Sequence, residues 1–487
     1  MTQSNGTSYS SSFRKEGFFT GVDPVAVLLY LAIVLVGCLC ITSATYDDAS
    51  MNFFSASHFY IKQYIWVGIS AVAAIAVLLI DSSQFHKYSY PLYYLGIVML
   101  FCALFFGREV NGAKSWFELG GMRLQPVELV KISTSLALAR VMSDYGFSIS
   151  DMRGLTRVAG VVALPLAVIV LQNDTGSGIV FGSFLFVLYR ENLNKWLCIP
   201  VLLFAALFII SFVVSPLVLL MVSIVVSLLC NAMIFGQWRL HIVYFASLLL
   251  GSIILSFVVS MVRDEPFSYY ISLLIVSLLT VPAVVIYLFR KNFTEGFMIL
   301  GFYLFTMIFL PVSDYIFSYL LRPHQQDRIM SFLGIVNDPL GLDYNVNQSK
   351  IAIGSGGLLG KGFLDGTQIR YGFVPERHTD FIFCDLAEEW GFVGSFVVLV
   401  LIMMLILRLM RMGERQAEGF GRVYCYCVAS ILLFHTFVNI GMTIGLMPVM
   451  GIPLPFMSYG GSSLLAFTIM LFIAFRLDAS TSRGETY

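Results

Sequence analysis

Charge is scarce in this chain. Only 12% of its 487 residues are Asp, Glu, Lys or Arg, while 58% are hydrophobic. Ordinary soluble domains carry about 25% charged residues. Acidic and basic residues balance at 29 each, so nothing global draws the chain to nucleic acid, and no nucleic-acid partner is expected. Cysteine is equally uninformative. Cys38, Cys40, Cys102, Cys198, Cys230, Cys384, Cys425 and Cys427 lie mostly inside apolar runs, without metal-ligand or framework spacing. They read as small hydrophobes. The polar start, MTQSNGTSYSSSFRKEGFFTGVD, has no short apolar core and no small-residue cleavage site. Residues 1–23 therefore read as a retained cytoplasmic tail.

What is abundant is long apolar sequence, with a mean hydropathy of +0.85. A spanning helix needs about 20 mostly apolar residues. Candidate spans run near 24–43, 61–80, 89–106, 126–142, 158–172, 176–189, 197–214, 216–235, 242–262, 268–289 and 296–320, then near 381–407, 423–446 and 461–477. The expected fold is an all-α polytopic membrane protein with about fourteen spans. The four spans within 197–289 are plain Leu, Ile, Val and Phe sequence, and read as an inserted accessory set in 191–295. The core then falls in two parts, 24–190 and 296–477, with a cytoplasmic tail at 478–487.

Every second short loop is basic. Arg14 and Lys15 precede the first span, Arg153 and Arg157 follow the fourth, and Arg190 and Lys195 the sixth. Arg239 follows the eighth, Arg290 and Lys291 the tenth, and Arg408, Arg411, Arg415 and Arg422 the twelfth. Basic loops stay cytoplasmic, which puts both termini inside and loops 107–125 and 321–380 outside.

The polar residues gather in a few places. The largest block, 323–392, is glycine-rich and holds Arg328, Lys361, Arg370, Glu376, His378, Asp380, Glu388 and Glu389. Ionisable groups concentrated in one loop of an apolar protein mark its working site. A second block is NGAKSWFELGGMRLQPVELVK. Pro126 suits a first helical position and Glu128 follows closely enough to cap that start. Glu128 and Lys131, at i and i+3, share a helix face. They form either a structural ion pair or the wall of a polar cavity. Asp174 in LQNDTGSG stands at a helix boundary, as cap or cavity residue. The stretch 439–463, NIGMTIGLMPVMGIPLPFMSYGGSS, breaks an apolar segment with Pro and Gly. Such backbone survives at membrane depth only inside protein or along a cavity, so a broken helix is expected. GSGGLLGKG fails the phosphate-loop spacing at Ser355 and Gly362. Its glycines read as tight turns or close backbone approach.

At HTDFIF, LAEEWGF and PLPFMSYGGSS the chain resembles the SEDS family of bacterial cell-wall proteins, the RodA/FtsW/SpoVE group. The blocks GAKSWFELGGMRLQPVELVK, QNDTG, QQDRI, DPLG and QSKIAIGSGGLLGKGF match it in order. PERHTDFIF and NIGMTIGLMPVMGIPLPFMSYGG favour the elongation branch over the division branch. The resemblance implies a helical bundle of ten core spans, here with four more, and a large extracytoplasmic loop carrying short helices. It implies a peptidoglycan glycosyltransferase of the bacterial cytoplasmic membrane. Its substrate would be lipid II, a disaccharide-pentapeptide on undecaprenyl diphosphate, and its partner a class B penicillin-binding transpeptidase.

The chemistry would be an inverting displacement at the MurNAc C1 by a GlcNAc 4-hydroxyl, giving a β-1,4 link. A positioned carboxylate base helps such a hydroxyl, and the leaving diphosphate needs cationic or N–H stabilisation. The resemblance assigns the catalytic aspartate to HTDF, hence Asp380 as general base; without it, Asp380 reads equally as a helix N-cap. Glu376 and His378 are its neighbours. Arg123, Gln125, Glu128, Lys131, Asp174, Arg328, Lys361, Arg370 and Ser458 complete the expected substrate, diphosphate or cavity residues. Lys131 and Arg123 stand first for the diphosphate. Glu388 and Glu389 are expected to divide between the cavity and a neighbouring helix. A divalent cation, Mg²⁺ or Mn²⁺, between carboxylate and diphosphate is a candidate cofactor. The rival readings are a lipid II flippase, which needs polar groups through the whole membrane depth, and a non-catalytic scaffold for the transpeptidase.

Overall fold

The computed structural model describes residues 21–46, 59–110, 112–119, 122–193, 207, 210–211, 214–291, 293–335, 341 and 343–482. Among these, 11 helices are long and apolar enough to cross a membrane. The spans expected near 126–142 and 176–189 are present as shorter helices, and the one near 197–214 falls largely outside the described residues.

The chain opens with α1 (Pro24–Thr45), α2 (Phe59–Leu79) and α3 (Ser82–Phe106). A three-stranded antiparallel sheet follows, β1 (Arg108–Val110), β2 (Ala113–Leu119) and β3 (Met122–Leu124). It is the exception to the all-helical expectation. Its sequence signal is the Asn111-Gly112 pair, a hairpin-turn dipeptide, and Gly112 takes φ +84°. Next come α4 (Pro126–Met142), α5 (Met152–Leu171), α6 (Thr175–Val180) and α7 (Phe184–Arg190). The helices α8 (Pro216–Phe235), α9 (Trp238–Arg263), α10 (Tyr269–Lys291), α11 (Thr294–Tyr315) and α12 (Pro323–Phe332) come next. The chain ends with α13 (Tyr344–Ser355), the single turn α14 (Thr367–Arg370), α15 (Ile382–Arg415), α16 (Gly419–Thr443) and α17 (Gly461–Ser482). The loop before α15 thus carries the short helices expected of it.

These elements form two compact units, Met1–Lys195 with Asp343–Tyr487, and Trp196–Leu342. In the first, α2 packs on α17, α3 on α4, and α15 on both α1 and α16. The membrane windows of α16 and α17 are 78% and 83% buried, so these two helices are its centre. One end of α1 is fixed by capping. Asp23 Oδ1 accepts from the N–H groups of Val25 at 3.0 Å and Ala26 at 3.3 Å, and Asp23 Oδ2 accepts from Arg408 Nε at 2.6 Å. Burial alone would raise the Asp23 carboxyl, but the Arg408 bond and the two N–H groups hold it below its ordinary range.

In the second unit, α8 to α11 pack around Leu220, Leu248, Leu273, Leu288 and Met307. Phe235 stacks on Phe293 with centroids 3.9 Å apart. Polar side chains there bond locally, as Tyr244 Oη does with Thr280 Oγ1 at 2.7 Å.

Candidate active site

The first unit is built around an interruption. Helix α16 stops at Thr443 and α17 starts at Gly461, leaving 444–460 without regular helix, as the Pro and Gly content predicted. The main-chain groups this loop exposes must find partners inside the protein. Two side chains on α16, one helical turn apart, supply some of them. His435 Nδ1 lies 3.1 Å from Pro453 O. Asn439 Nδ2 donates to Ile452 O at 2.8 Å and to Asp380 O at 2.9 Å. Leu454 N–H donates to Ser458 Oγ at 2.8 Å, so the expected cavity residue Ser458 is buried and stabilises the loop itself.

Pro126 opens α4, but Glu128 does not cap it. Its carboxylate turns to Lys131, Oε2 to Nζ 2.8 Å, and both side chains are almost wholly buried. Lys131 Nζ also lies 3.0 Å from His435 Nε2 and 4.9 Å above the Phe467 ring. Pro453 O is only an acceptor, so His435 carries its proton on Nδ1 and offers Nε2 as acceptor to the ammonium. Lys131 is thus committed to a carboxylate, a neutral imidazole and an aromatic face. A buried pair satisfied this way is costly to break. Beside it, Gln125 Nε2 donates to Asp174 Oδ2 at 2.9 Å. Asp174 is the N-cap of α6, accepting from Ser177 N at 3.1 Å.

Asp380 sits at the other edge of the broken segment. The N-cap position of α15 belongs to Phe381, which makes no side-chain cap. A β-carbon on Gly451 would stand 3.6 Å from Asp380 Oδ2, and Gly451 takes φ +69°, a conformation that favours glycine. The carboxylate therefore lies along bare backbone of the 444–460 loop, half-buried. Glu376 holds φ +50° and accepts from Thr379 Oγ1 at 3.1 Å, closing the turn before Asp380. His378 O accepts from Tyr459 N at 2.8 Å. The His378 ring meets Phe59 at 4.7 Å and Tyr459 at 5.5 Å. Burial pushes the His378 imidazole below its ordinary range, Glu376 pulling the other way. Burial raises the Tyr459 hydroxyl, and the charge of Arg123 partly offsets that rise. Arg123 itself is exposed on β3, cross-strand from Glu118.

The glycine-rich stretch packs against α15 instead of lining an open cradle. Helix α15 is interrupted at Gly391, with φ +67° and ψ −164°. The interruption frees main-chain groups that the loop takes up. Lys361 N and Gly362 N donate to Glu388 O and Glu389 O, both at 3.0 Å. Phe392 N and Val393 N donate back to Gly357 O at 2.9 Å and Leu358 O at 3.1 Å. Close approach is obligatory, since a β-carbon on Gly360 would fall 2.0 Å from Glu389 O. Lys361 Nζ pairs with Glu388 Oε1 at 2.6 Å, and that carboxylate also accepts from Gln368 N and Ile369 N at 3.0 Å. Glu389 accepts from Ser43 Oγ and from Leu364 N. Both glutamates are buried and hold the 361–370 segment, and Glu389 also meets a helix neighbour through Ser43 of α1. Arg370 ends α14 on the exposed side, and Arg328 lies on α12 in the second unit.

Among the described residues no group of three His, Cys, Asp or Glu side chains could hold a metal. A cation beside Asp380 would have to take most of its ligands from a substrate diphosphate and water. The sequence reading missed His435 and Asn439. Their signal was two polar residues four apart within an apolar helix, which shares one face.

A polytopic helical bundle with a polar site at a broken helix defines an integral membrane protein working on a ligand at the end of its bundle. The chain belongs to the cell cycle protein family of FtsW, RodA and SpoVE, whose model matches residues 24–229 and 248–483. It is 30% identical to the peptidoglycan glycosyltransferase MrdB of Escherichia coli K12, over 91% of this chain and 90% of that one. It is 31% identical to the peptidoglycan glycosyltransferase RodA of Treponema pallidum, over 91% and 94%. A chain from a peptidoglycan synthase complex that coordinates polymerization and crosslinking superposes with a TM-score of 0.60 at 23% identity, covering 96% of this chain and 99% of that one.

Proposed function

We propose that this protein is a peptidoglycan glycosyltransferase of the elongation branch, polymerising lipid II at the outer face of the bacterial cytoplasmic membrane. Family membership and relatives of that activity support the reaction class. The alternating basic loops support the orientation, with both termini inside and 321–380 outside. The observation that carries the site is the setting of Asp380. It lies half-buried against the bare backbone at Gly451, with its main chain tied to α16 by Asn439.

In this reading the Asp380 carboxylate takes the proton of the acceptor GlcNAc 4-hydroxyl as that oxygen bonds to the donor MurNAc C1. The C1–oxygen bond to undecaprenyl diphosphate breaks on the opposite face, its electron pair leaving with the diphosphate. Configuration at C1 inverts from α to β. Arg123, exposed beside Tyr459, is the cation best placed to meet the diphosphate. Lys131 and Lys361 act through the structure, each already paired with a glutamate. A class B transpeptidase partner is consistent with the synthase complex to which the fold is similar.

Reconstitution tests this reading. The purified protein in liposomes, with labelled lipid II and a candidate transpeptidase, should produce glycan ladders. Lipid II crossing the bilayer with no ladder would replace the polymerase by a flippase.

A further inference from the structure

The turn that carries Asp380 closes on itself. Thr379 N and Phe381 N donate to Glu376 O at 3.2 and 3.3 Å. It is also tied to three other elements of the first unit. His378 O accepts from Tyr459 N in the broken segment, and Asp380 O accepts from Asn439 Nδ2 on α16. The tie to α1 is made by a side chain. Arg377 Nε donates to Ala44 O at 2.7 Å, in the last turn of that helix. Carbonyls there have no partner inside the helix, and a cation suits the negative end of its dipole. The guanidinium has little room to move. A β-carbon on Gly372, which takes φ +75°, would stand 2.9 Å from Arg377 Nη1. Burial loosens the hold of the guanidinium on its proton, and the charge of Asp385 on α15 offsets this, so the two side chains stand within electrostatic reach. Asp385 is wholly buried, and neither of its carboxyl oxygens has a hydrogen-bond partner among the described residues. A carboxylate in that setting is costly without a cation nearby.

We infer that Arg377 is a positioning residue, whose bond to Ala44 O, steadied by the Asp385 carboxylate, holds the 376–381 turn so that the Asp380 carboxylate keeps its place along Gly451. The inference rests on the reading of Asp380 as the base. The physical argument is one of constraint. A closed turn held at His378 and Asp380 can still rock about the line joining those two points. A contact to a further element, α1, removes that freedom. The bond serves the base without touching the acceptor sugar, so losing it should lower turnover and leave lipid II binding unchanged.

Two replacements of similar length separate the tie from the charge. Arg377→Gln keeps an N–H donor at the place of Nε and lacks the guanidinium, while Arg377→Met has no donor. Each is combined with Asp385→Asn, so that no buried carboxylate loses its cation. The full chain is assayed with labelled lipid II and the transpeptidase partner, and kcat is expressed per folded protein from thermal unfolding. Hydrogen exchange over 376–381 is followed on the same samples. The Met/Asn variant should lose about ten- to a hundredfold in kcat with KM unchanged, and its turn should exchange faster. The Gln/Asn variant should recover most of the lost rate and the slow exchange. A Met/Asn variant with the kcat of the wild type would overturn the inference, and so would a Gln/Asn variant as slow as Met/Asn. A raised KM with unchanged kcat would overturn it by placing Arg377 on the substrate. The exchange readout keeps this inference apart from the polymerase reading. Unchanged exchange in the Met/Asn variant would overturn the tie whatever the ladders show. Faster exchange there, with no ladder from the wild type, would remove the polymerase and leave the tie.

Discussion

Asn439 divides its side-chain amide between two main-chain oxygens, that of Asp380 at 2.9 Å and that of Ile452 at 2.8 Å. One fully buried side chain on α16 thus fixes the separation between the proposed base and the broken loop it faces. The position of Asp380 depends on a residue 59 places away in sequence.

Asn439→Ala should cost about 1–3 kcal/mol of stability by removing two hydrogen bonds. Its larger effect should be on rate. Displacing a reacting group by about 1 Å costs up to roughly 100-fold, so kcat for lipid II polymerisation should fall ten- to a hundredfold with little change in KM. Steady-state kinetics at fixed partner concentration checks this.

The Glu128–Lys131 pair gives a separable result. Lys131→Met leaves a buried carboxylate without its cation and should destabilise by about 3–5 kcal/mol. Glu128→Leu combined with Lys131→Met should recover much of that loss. Chemical unfolding in detergent measures the cycle. If the double variant regains stability and also rate, Lys131 acts through packing; if stability returns without rate, Lys131 also meets the diphosphate.

Gly360→Ala should destabilise by well over 1 kcal/mol, because φ is +80° and the new carbon would overlap Glu389 O. Gly354→Ala on α13 is the control. Nothing lies within 4 Å of its β-carbon, so it should be neutral or slightly stabilising. Thermal unfolding of the two variants side by side gives the comparison.

His378 predicts a pH dependence. Burial lowers its imidazole below the ordinary 6.5, so the folded protein favours the neutral ring. In acid the unfolded chain takes up the proton first. The contribution of His378 is therefore complete above about pH 6.5 and is lost as pH falls below it. Stability measured from pH 7.5 to 5.5 should decline, and His378→Gln should flatten part of that decline.

Much of this architecture is legible in the residues. The apolar runs give the spans, the Pro and Gly of 444–460 give the broken helix, and Pro126 marks the start of α4. HTDFIF singles out Asp380 through resemblance alone; its setting against Gly451 is not readable from sequence. The pairings are not readable either, because they join distant elements. Lys131 meets His435, 304 residues on, and Lys361 meets Glu388, 27 residues on. Glu128 has the spacing of a cap, yet a buried ammonium one turn away is the stronger partner. The glycines of 356–362 resemble a ligand loop, but Gly360 N bonds back to Gly356 O, while Gly362 N and Gly357 O are taken up by α15 around Gly391.

The most direct test of the account is the glycan ladder from wild type and from Asp380→Ala, with lipid II and the transpeptidase partner present and equal thermal unfolding established for both. The account predicts ladders from wild type and none from the variant. Equal ladders from both would leave a polymerase whose base is not Asp380 and would contradict the site proposed for it.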